Sequence, residues 1–178
     1  GLQVDAAFVN GGGIRADVEA GDVTYGNLID VQPYNNQLCV AEVRGQDLLD
    51  ALEMGARMYP DPLGGFLQVS GISYTIRTDI PSSVVTDATS NFVRVDGPYR
   101  VQNVTVGGRP LDVSKTYRVA SHTYYLEQGG DGMTMLKSDA VTLLGLDNEA
   151  LIDFITNDLN GAIGAAYANP NGQGRIVV

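Results

Sequence analysis

Short apolar runs along the chain are broken by glycine and proline. Ala6-Ala7-Phe8-Val9 is a compact apolar run of the kind that makes a buried strand, and it ends in Asn10-Gly11-Gly12-Gly13-Ile14-Arg15. Three consecutive glycines are costly in a regular strand, so a turn with unusual dihedrals is expected there. Thr24 is a suitable cap for a short helix over Tyr25 to Val31, which Pro33 closes. Gln37 to Arg44 alternates as a strand. Gln46 to Met58 carries Leu48, Leu49, Leu52, Met54 and Ala56 at helical spacing. The run Tyr59-Pro60-Asp61-Pro62-Leu63-Gly64-Gly65 reads as a loop.

Phe66 to Val69 and Ile72 to Arg77 follow as two strand pieces interrupted by Gly71. Asp79 to Asp96 is polar and rich in Ser and Thr, as a surface excursion would be. Tyr99 to Val106, Gly107-Gly108 and Arg109-Pro110-Leu111 form a hairpin pattern. Thr116 to Ala120 alternates as a strand, and Val141 to Leu144 and Gly174 to Val178 are shorter strand candidates. Asp147 to Leu159 is the clearest helical pattern, capped by Asp147, with Leu151, Ile152, Phe154, Ile155 and Leu159 as its apolar stripe. Hairpins mixed with helices predict an α+β fold in which mixed β-sheets carry flanking helices, in one domain over residues 1–178.

Composition narrows the function. The chain has 178 residues, with Lys+Arg 11 against Asp+Glu 21 and a formal charge of −10. A hydrophobic fraction of 44% against 18% charged residues is a globular composition. The acidity argues against a nucleic-acid polymer as partner, because neutralising phosphates needs clustered Lys and Arg. It argues equally against a surface that adheres to anionic lipid. No apolar run reaches the length of a membrane span, so no membrane insertion is expected. Any anionic ligand must be held by a few placed arginines. Asn103-Val104-Thr105 fits a glycosylation sequon, a pattern that also arises by chance.

Much catalytic chemistry is out of reach. His122 is the only histidine and Cys39 the only cysteine. No two-metal cluster of His and Asp ligands can be assembled, so no metal site is expected in this chain. A Ser-His-Asp triad would have to use His122, and no nucleophile-elbow pattern supports it. His122 reads first as a strand-end residue, and Cys39 as a buried small hydrophobe. Asp17, Glu19 and Asp22 lack the spacing of a calcium loop and read as a solvated turn.

Two glycine clusters remain. Gly11, Gly12 and Gly13 expose backbone N–H groups, and Arg15 follows at once; the segment suits an anionic or sugar ligand, or is simply a structural turn. Gly129-Gly130-Asp131-Gly132 follows Tyr124-Tyr125. A carboxylate fixed between glycines can accept two hydrogen bonds from a ribose diol. Tyr125 and Tyr34, on separate loops, offer flat faces that can clamp a nucleobase or pack ordinarily.

Taken together, Asn10-Gly-Gly-Gly-Ile-Arg15, Pro33-Tyr34, Gly65-Phe66-Leu67-Gln68-Val69-Ser70-Gly71 and Gly129-Gly130-Asp131-Gly132 resemble, in this order, the C-terminal domain of the 5′-nucleotidase family. That family includes periplasmic UDP-sugar hydrolases and cell-surface ecto-5′-nucleotidases. The resemblance implies a substrate-binding domain whose partner is an N-terminal metallophosphoesterase domain holding two divalent metal ions. It implies that Asn10, Arg15 and Asp131 contact substrate, Asp131 through the ribose hydroxyls. Tyr34 and Tyr125 fall where the family stacks two aromatics on the base, with Gly11, Gly12, Gly13, Gly129 and Gly130 as supporting loop glycines. The ligand implied is a nucleoside or nucleotide, and the compartment periplasmic, cell-surface or secreted. The family's domain begins with a helix before the first strand, which carries a further arginine. Its absence here reads as an N-terminal truncation and predicts an apolar face there, with a tendency to homodimerise through it. A non-catalytic cell-surface or adhesion module that keeps the fold is the alternative, and a self-contained hydrolase using His122 a third.

Overall fold

In the computed structural model, residues 2–169 and 172–178 are described. The strands, in chain order, are β1 (Ala6–Asn10), β2 (Gln37–Arg44), β3 (Leu67–Ser70), β4 (Ile72–Ile76), β5 (Val84–Thr86), β6 (Phe92–Val95), β7 (Val101–Val106), β8 (Arg109–Pro110), β9 (Thr116–His122), β10 (Thr142–Leu146) and β11 (Ile176–Val177). The helices are α1 (Tyr25–Val31), α2 (Gly45–Ala56), α3 (Thr123–Leu126) and α4 (Asp147–Asp153). A five-stranded sheet runs β10-β2-β9-β1-β3 and a four-stranded sheet β11-β4-β7-β8, with a β5-β6 hairpin beside them. Both larger sheets are mixed: β1 is parallel to β9 and β11 to β4, and the other pairs are antiparallel. The fold class is therefore α+β, as the mixture of patterns predicts.

The local signals acted as the sequence suggests. The Thr24 hydroxyl accepts a hydrogen bond from the Asn27 backbone N–H, and the Asn27 side-chain Oδ1 accepts one from the Thr24 backbone N–H, which closes a capping box on α1. In β2, Cys39, Ala41 and Val43 are buried while Glu42 and Arg44 are exposed, so one face of the sheet meets the core. Phe8, Leu67, Val69 and Val119 extend that buried face across the neighbouring strands. The core-facing side of α2 supplies Leu48, Ala51, Leu52 and Met54, all essentially inaccessible, and α2 touches both larger sheets.

The far end of α2 is fixed by a buried charged pair of unlike roles. Glu53, fully buried, accepts the backbone N–H groups of Arg100 at 3.1 Å and Val101 at 2.8 Å. Burial pushes its carboxyl above the ordinary range, and those two N–H groups pull it back. The Arg100 Nη1 donates to the carbonyls of Ala56, Arg57 and Tyr59, at the end of α2 and just beyond it. The loop leaving α2 thus starts from a fixed point, and its Gly64 and Gly65 reach the candidate site.

Three expectations need amendment. The polar stretch Asp79 to Asp96 contains the β5-β6 hairpin. The helical pattern from Asp147 is α-helical only to Asp153 and continues as a wider π turn over Phe154–Asp158. Asp147 does not cap α4 from outside; it lies in the first turn, where its carboxylate is used otherwise. Among the described residues no helix is long and apolar enough to cross a membrane.

Candidate functional site: a tyrosine-walled cavity at the ends of two strands

β1 and β9 run parallel and end at the same edge of the five-stranded sheet. Beyond β1 the chain enters the Gly11–Gly13 turn; beyond β9 it enters α3 and then the turn Gly130–Gly132. A cavity of about 530 Å³ lies between these turns and the loop after α1. Asn10, Gly12, Gly13, Tyr34 and Asp131 line it, and so do Asn36 and Tyr124.

Asp131 is the best-held group in the wall. Its backbone sits at φ 53° and ψ 22°, a left-handed conformation uncommon for a residue with a side chain. Residues held in such regions persist only where the surroundings over-determine them. Here the Tyr125 hydroxyl donates to Oδ2 at 2.7 Å and the Tyr124 hydroxyl to Oδ1 at 3.1 Å, while the Asp131 backbone N–H donates to the Tyr124 hydroxyl at 3.0 Å. Each carboxylate oxygen keeps capacity for a further donor. Arg57, half-buried at the end of α2, interacts favourably with Asp131 and Tyr125; burial still pushes its pKa down. Burial first, and the bond to Asp131 second, raise the Tyr125 phenol far above its usual range, so it stays a donor.

The glycines follow from close approach. A side chain at Gly130 would drive its Cβ into the Tyr124 ring, so only glycine lets that ring lie flat over the turn. A Cβ at Gly12 would stand 2.9 Å from the Gly64 Cα, where the Gly12 N–H donates to the Gly64 carbonyl at 2.8 Å. The first glycine turn is thus pinned to the loop that leaves α2, and Gly11 N–H is likewise bound to the Phe66 carbonyl. Gly129 takes the left-handed turn before them at φ 68°. The tripled glycine therefore has a structural use, and Gly12 and Gly13 also face the cavity.

The predicted residues separate here. Asn10, Tyr34 and Asp131 stand together on the cavity wall. Tyr34 is 59% exposed, its ring free at the rim. Tyr125 does not face the cavity: its ring is 0% exposed, packed edge-on against Phe8 and Tyr124. A ring with no free face cannot stack on a ligand, so the expectation for Tyr125 is corrected; the tyrosine on the wall is Tyr124. Arg15 is not in the lining either. Its Nη1 donates to the Gly12 carbonyl at 3.3 Å and its backbone N–H to Val31, which places it beside the turn.

Asn36, two residues beyond Tyr34, also lines the cavity, a position the Pro33-Tyr34 motif alone does not extend to. His122 is buried at the end of β9, and its Nε2 lies 3.3 Å from the Asp147 Oδ2, inside ion-pair distance but off hydrogen-bond alignment. Burial lowers its pKa below the ordinary histidine value, with Asp147 pulling the other way. It does not line the cavity, which leaves the His122 hydrolase without a reachable base. Cys39 is buried with its thiol pushed up to about 11, chiefly by burial, and is chemically inert. Among the described residues no group of three or more His, Cys, Asp or Glu is placed to hold a metal ion.

Comparison with known proteins agrees with the fold. The model of the family described as "5′-nucleotidase, C-terminal domain" matches residues 1–138. The silent protein UshA(0) of Salmonella typhimurium is 32% identical over 171 residues, covering 95% of this chain and 27% of its own length. The cell wall protein Lmo0130 of Listeria monocytogenes is 34% identical over 163 residues, covering 87% of this chain and 19% of its own. The crystal structure of a 5′-nucleotidase precursor from Thermus thermophilus superposes with a TM-score of 0.78 at 32% identity, over 98% of this chain and 31% of that one. This chain belongs to the 5′-nucleotidase C-terminal domain family. It spans under a third of the length of these relatives, which are larger proteins.

Proposed function

We propose that this chain is the nucleoside-holding domain of a 5′-nucleotidase-type phosphoesterase. The observation that carries the reading is Asp131: a carboxylate in a left-handed turn, fixed by two tyrosine hydroxyls, on the wall of a cavity that also bears Tyr34 and Tyr124. A ribose diol matches a carboxylate with an acceptor free on each oxygen, and a base matches the two aromatic faces. Asn10 and the Gly12-Gly13 backbone complete the polar side. Arg15 stands exposed beside the glycine turn, and its contact with the substrate stays part of this reading. Hydrolysis of the phosphate ester belongs to a separate domain with two divalent metals; this chain positions substrate and does not activate water. The assignment goes with a periplasmic, cell-surface or secreted setting.

The chain has no tryptophan, so its nine tyrosines dominate the emission, and amide shifts assign a ligand-induced change to the site. Adenosine and uridine, titrated to millimolar concentration, are expected to perturb Tyr34, Tyr124 and Asp131, and the chain alone to release no phosphate from a 5′-nucleotide. Shifts that avoid these three residues overturn the site. A non-catalytic surface module is the second reading, favoured by the likeness to the Listeria cell wall protein. It predicts a folded chain that binds no nucleoside.

A further inference from the structure

The β5-β6 hairpin belongs to neither larger sheet. Two strands alone are marginally stable in water, so the hairpin needs support from elsewhere. Val84 on β5 and Phe92 on β6 supply part of it by packing against the core. The tip between them, Asp87 to Asn91, is closed by one carboxylate. Asp87 Oδ1 accepts the Thr89 backbone N–H at 2.9 Å, the Thr89 hydroxyl at 2.8 Å and the Asn91 backbone N–H at 2.9 Å. Its Oδ2 accepts the Asn91 Nδ2 at 3.3 Å. The Thr89 hydroxyl first, and the Asn91 backbone N–H next, hold the Asp87 carboxyl below its usual range. The main chain is paired as well: the Asp87 N–H donates to the Asn91 carbonyl at 2.9 Å, and the Ser90 N–H to the Asp87 carbonyl at 3.0 Å. Ser90 is thereby held in a left-handed conformation at φ 66°. Asp87 to Ser90 are all exposed, so it is these bonds and not burial that give the tip its shape.

What the tip touches is the turn that carries Asp131. A Cβ at Gly132 would stand 2.2 Å from the Ser90 carbonyl oxygen and 3.1 Å from the Asn91 Cα, so the two backbones are in direct contact. Asp131 at φ 53° and Gly132 at φ 77° are consecutive left-handed residues, a path that persists only when its surroundings enforce it. The turn is enclosed at three points. The Tyr124 ring lies on Gly130, the Gly65 backbone lies against the Asp131 side chain, and the Ser90 carbonyl backs Gly132. Tyr124 belongs to the cavity wall itself, whereas no residue of the hairpin lines the cavity.

We propose that the β5-β6 hairpin is the positioning element for Asp131, with Asp87 as its positioning residue: by holding the tip in one shape, Asp87 keeps the Ser90 carbonyl against Gly132 and the Asp131 carboxylate aimed at the ribose hydroxyls. The inference rests on the nucleoside reading above and deepens it. Selectivity for a ribose diol then depends on an exposed residue that touches no ligand. When the tip loosens, Gly132 gains room and the carboxylate loses its aim, while the aromatic faces of Tyr34 and Tyr124 still offer stacking to a base.

The test compares adenosine with 2′,3′-dideoxyadenosine on the full chain, by calorimetry or amide shifts. The two share a base, and only adenosine has ribose hydroxyls to donate to Asp131. In the wild type adenosine is expected to bind about tenfold more tightly, the worth of a hydrogen bond to a charged group. Asp87→Ala removes four hydrogen bonds from the tip and should cut that ratio by about threefold or more, weakening adenosine and leaving dideoxyadenosine as it was. Asp87→Asn keeps the Oδ1 acceptor and should restore most of the ratio. The Asp131 and Gly132 amide signals of the free chain should move in Asp87→Ala and return in Asp87→Asn. Thermal unfolding checks that each variant is folded. If Asp87→Ala is not, Thr89→Ala, which loses one of the bonds to Oδ1, carries the same comparison with a smaller fall. An unchanged ratio in a folded variant, or equal weakening of both ligands, overturns the inference and leaves nucleoside binding standing. A folded wild-type chain that binds neither ligand, or binds both alike, overturns the nucleoside reading of Asp131 itself.

Discussion

The two walls of the cavity are built on opposite plans. The Asp131 wall is set by burial: Tyr125 lies inaccessible behind it, Gly130 lets the Tyr124 ring close down, and both carboxylate oxygens are bonded by hydroxyls of the same short helix. The facing wall, Tyr34 to Asn36, is an exposed turn that rests on no hydrophobic packing of its own. It is held by polar bonds from Asp147 and Asn148, more than a hundred residues away in sequence. One wall is continuous with the core, and its shape cannot change without cost to stability. The other is an attachment whose rim side chain, the exposed Tyr34, can be exchanged with little effect on folding. Loops carried by a rigid scaffold are where binding specificity is usually varied.

The sharpest way to break this contrast is Gly130→Ala. The added Cβ meets the Tyr124 ring, and overpacking of this kind costs about 1–3 kcal/mol. Thermal unfolding should register the loss, and nucleoside binding should disappear with the displaced ring. Tyr125→Phe is next. It removes a buried donor from Asp131 without changing the ring, and an unmet carboxylate oxygen costs about 1–3 kcal/mol. A melting temperature unchanged in either variant would show that this wall is not part of the core's stability.

On the other wall, Tyr34→Ala should leave the melting temperature where it is and weaken nucleoside binding by about tenfold, at the lower end of what one base–aromatic stack contributes. A matching loss of stability would erase the distinction between the walls. The smallest effect concerns pH. Burial depresses the folded-state pKa of His122 below its unfolded value near 6.5, so the unfolded chain binds the extra proton first. The stability this represents is present above about pH 6.5 and is lost as pH falls toward the folded pKa. Comparing wild type with His122→Gln between pH 7.5 and 5 isolates it: the wild type should lose more stability on acidification. Equal slopes would show that His122 titrates alike in both states.

The parts of this molecule that were legible in the sequence are those decided by near neighbours. Thr24, Asn27 and Pro33 bound α1 as their chemistry predicts, and β2 alternates between buried and exposed from Ala41 to Arg44, while Cys39, Val40 and Ala41 are all buried. The Asn10 and Asp131 motifs were legible as ordered glycine turns, and both meet at one cavity. The identity of the second aromatic was not. Tyr124 and Tyr125 are adjacent and chemically alike, and the direction in which α3 leaves β9 turns one to the wall and the other into the core. Nor was the Asn36–Asp147 bond, which joins residues 111 apart. Asp147 reads locally as a helix cap, and only the packing of α4 beside the end of β9 gives it another partner. The π turn after Asp153 has no sequence signal that we identify.

The hydroxyls on Asp131 have one more consequence, concerning water. A carboxylate facing solvent orders a first layer of water molecules, and an incoming sugar must strip part of it before it can bond. Around Asp131, Tyr124 and Tyr125 stand where part of that layer would be, one hydroxyl on each oxygen. The anion is kept permanently half-hydrated by protein, and those two positions never exchange with the bulk. A sugar arriving there has fewer tightly held waters to displace, and on leaving it exposes no bare charge. On the proposed nucleoside-holding reading, the turn takes up and gives back a polar ligand with little reorganisation, which suits a surface that delivers material elsewhere better than one that stores it.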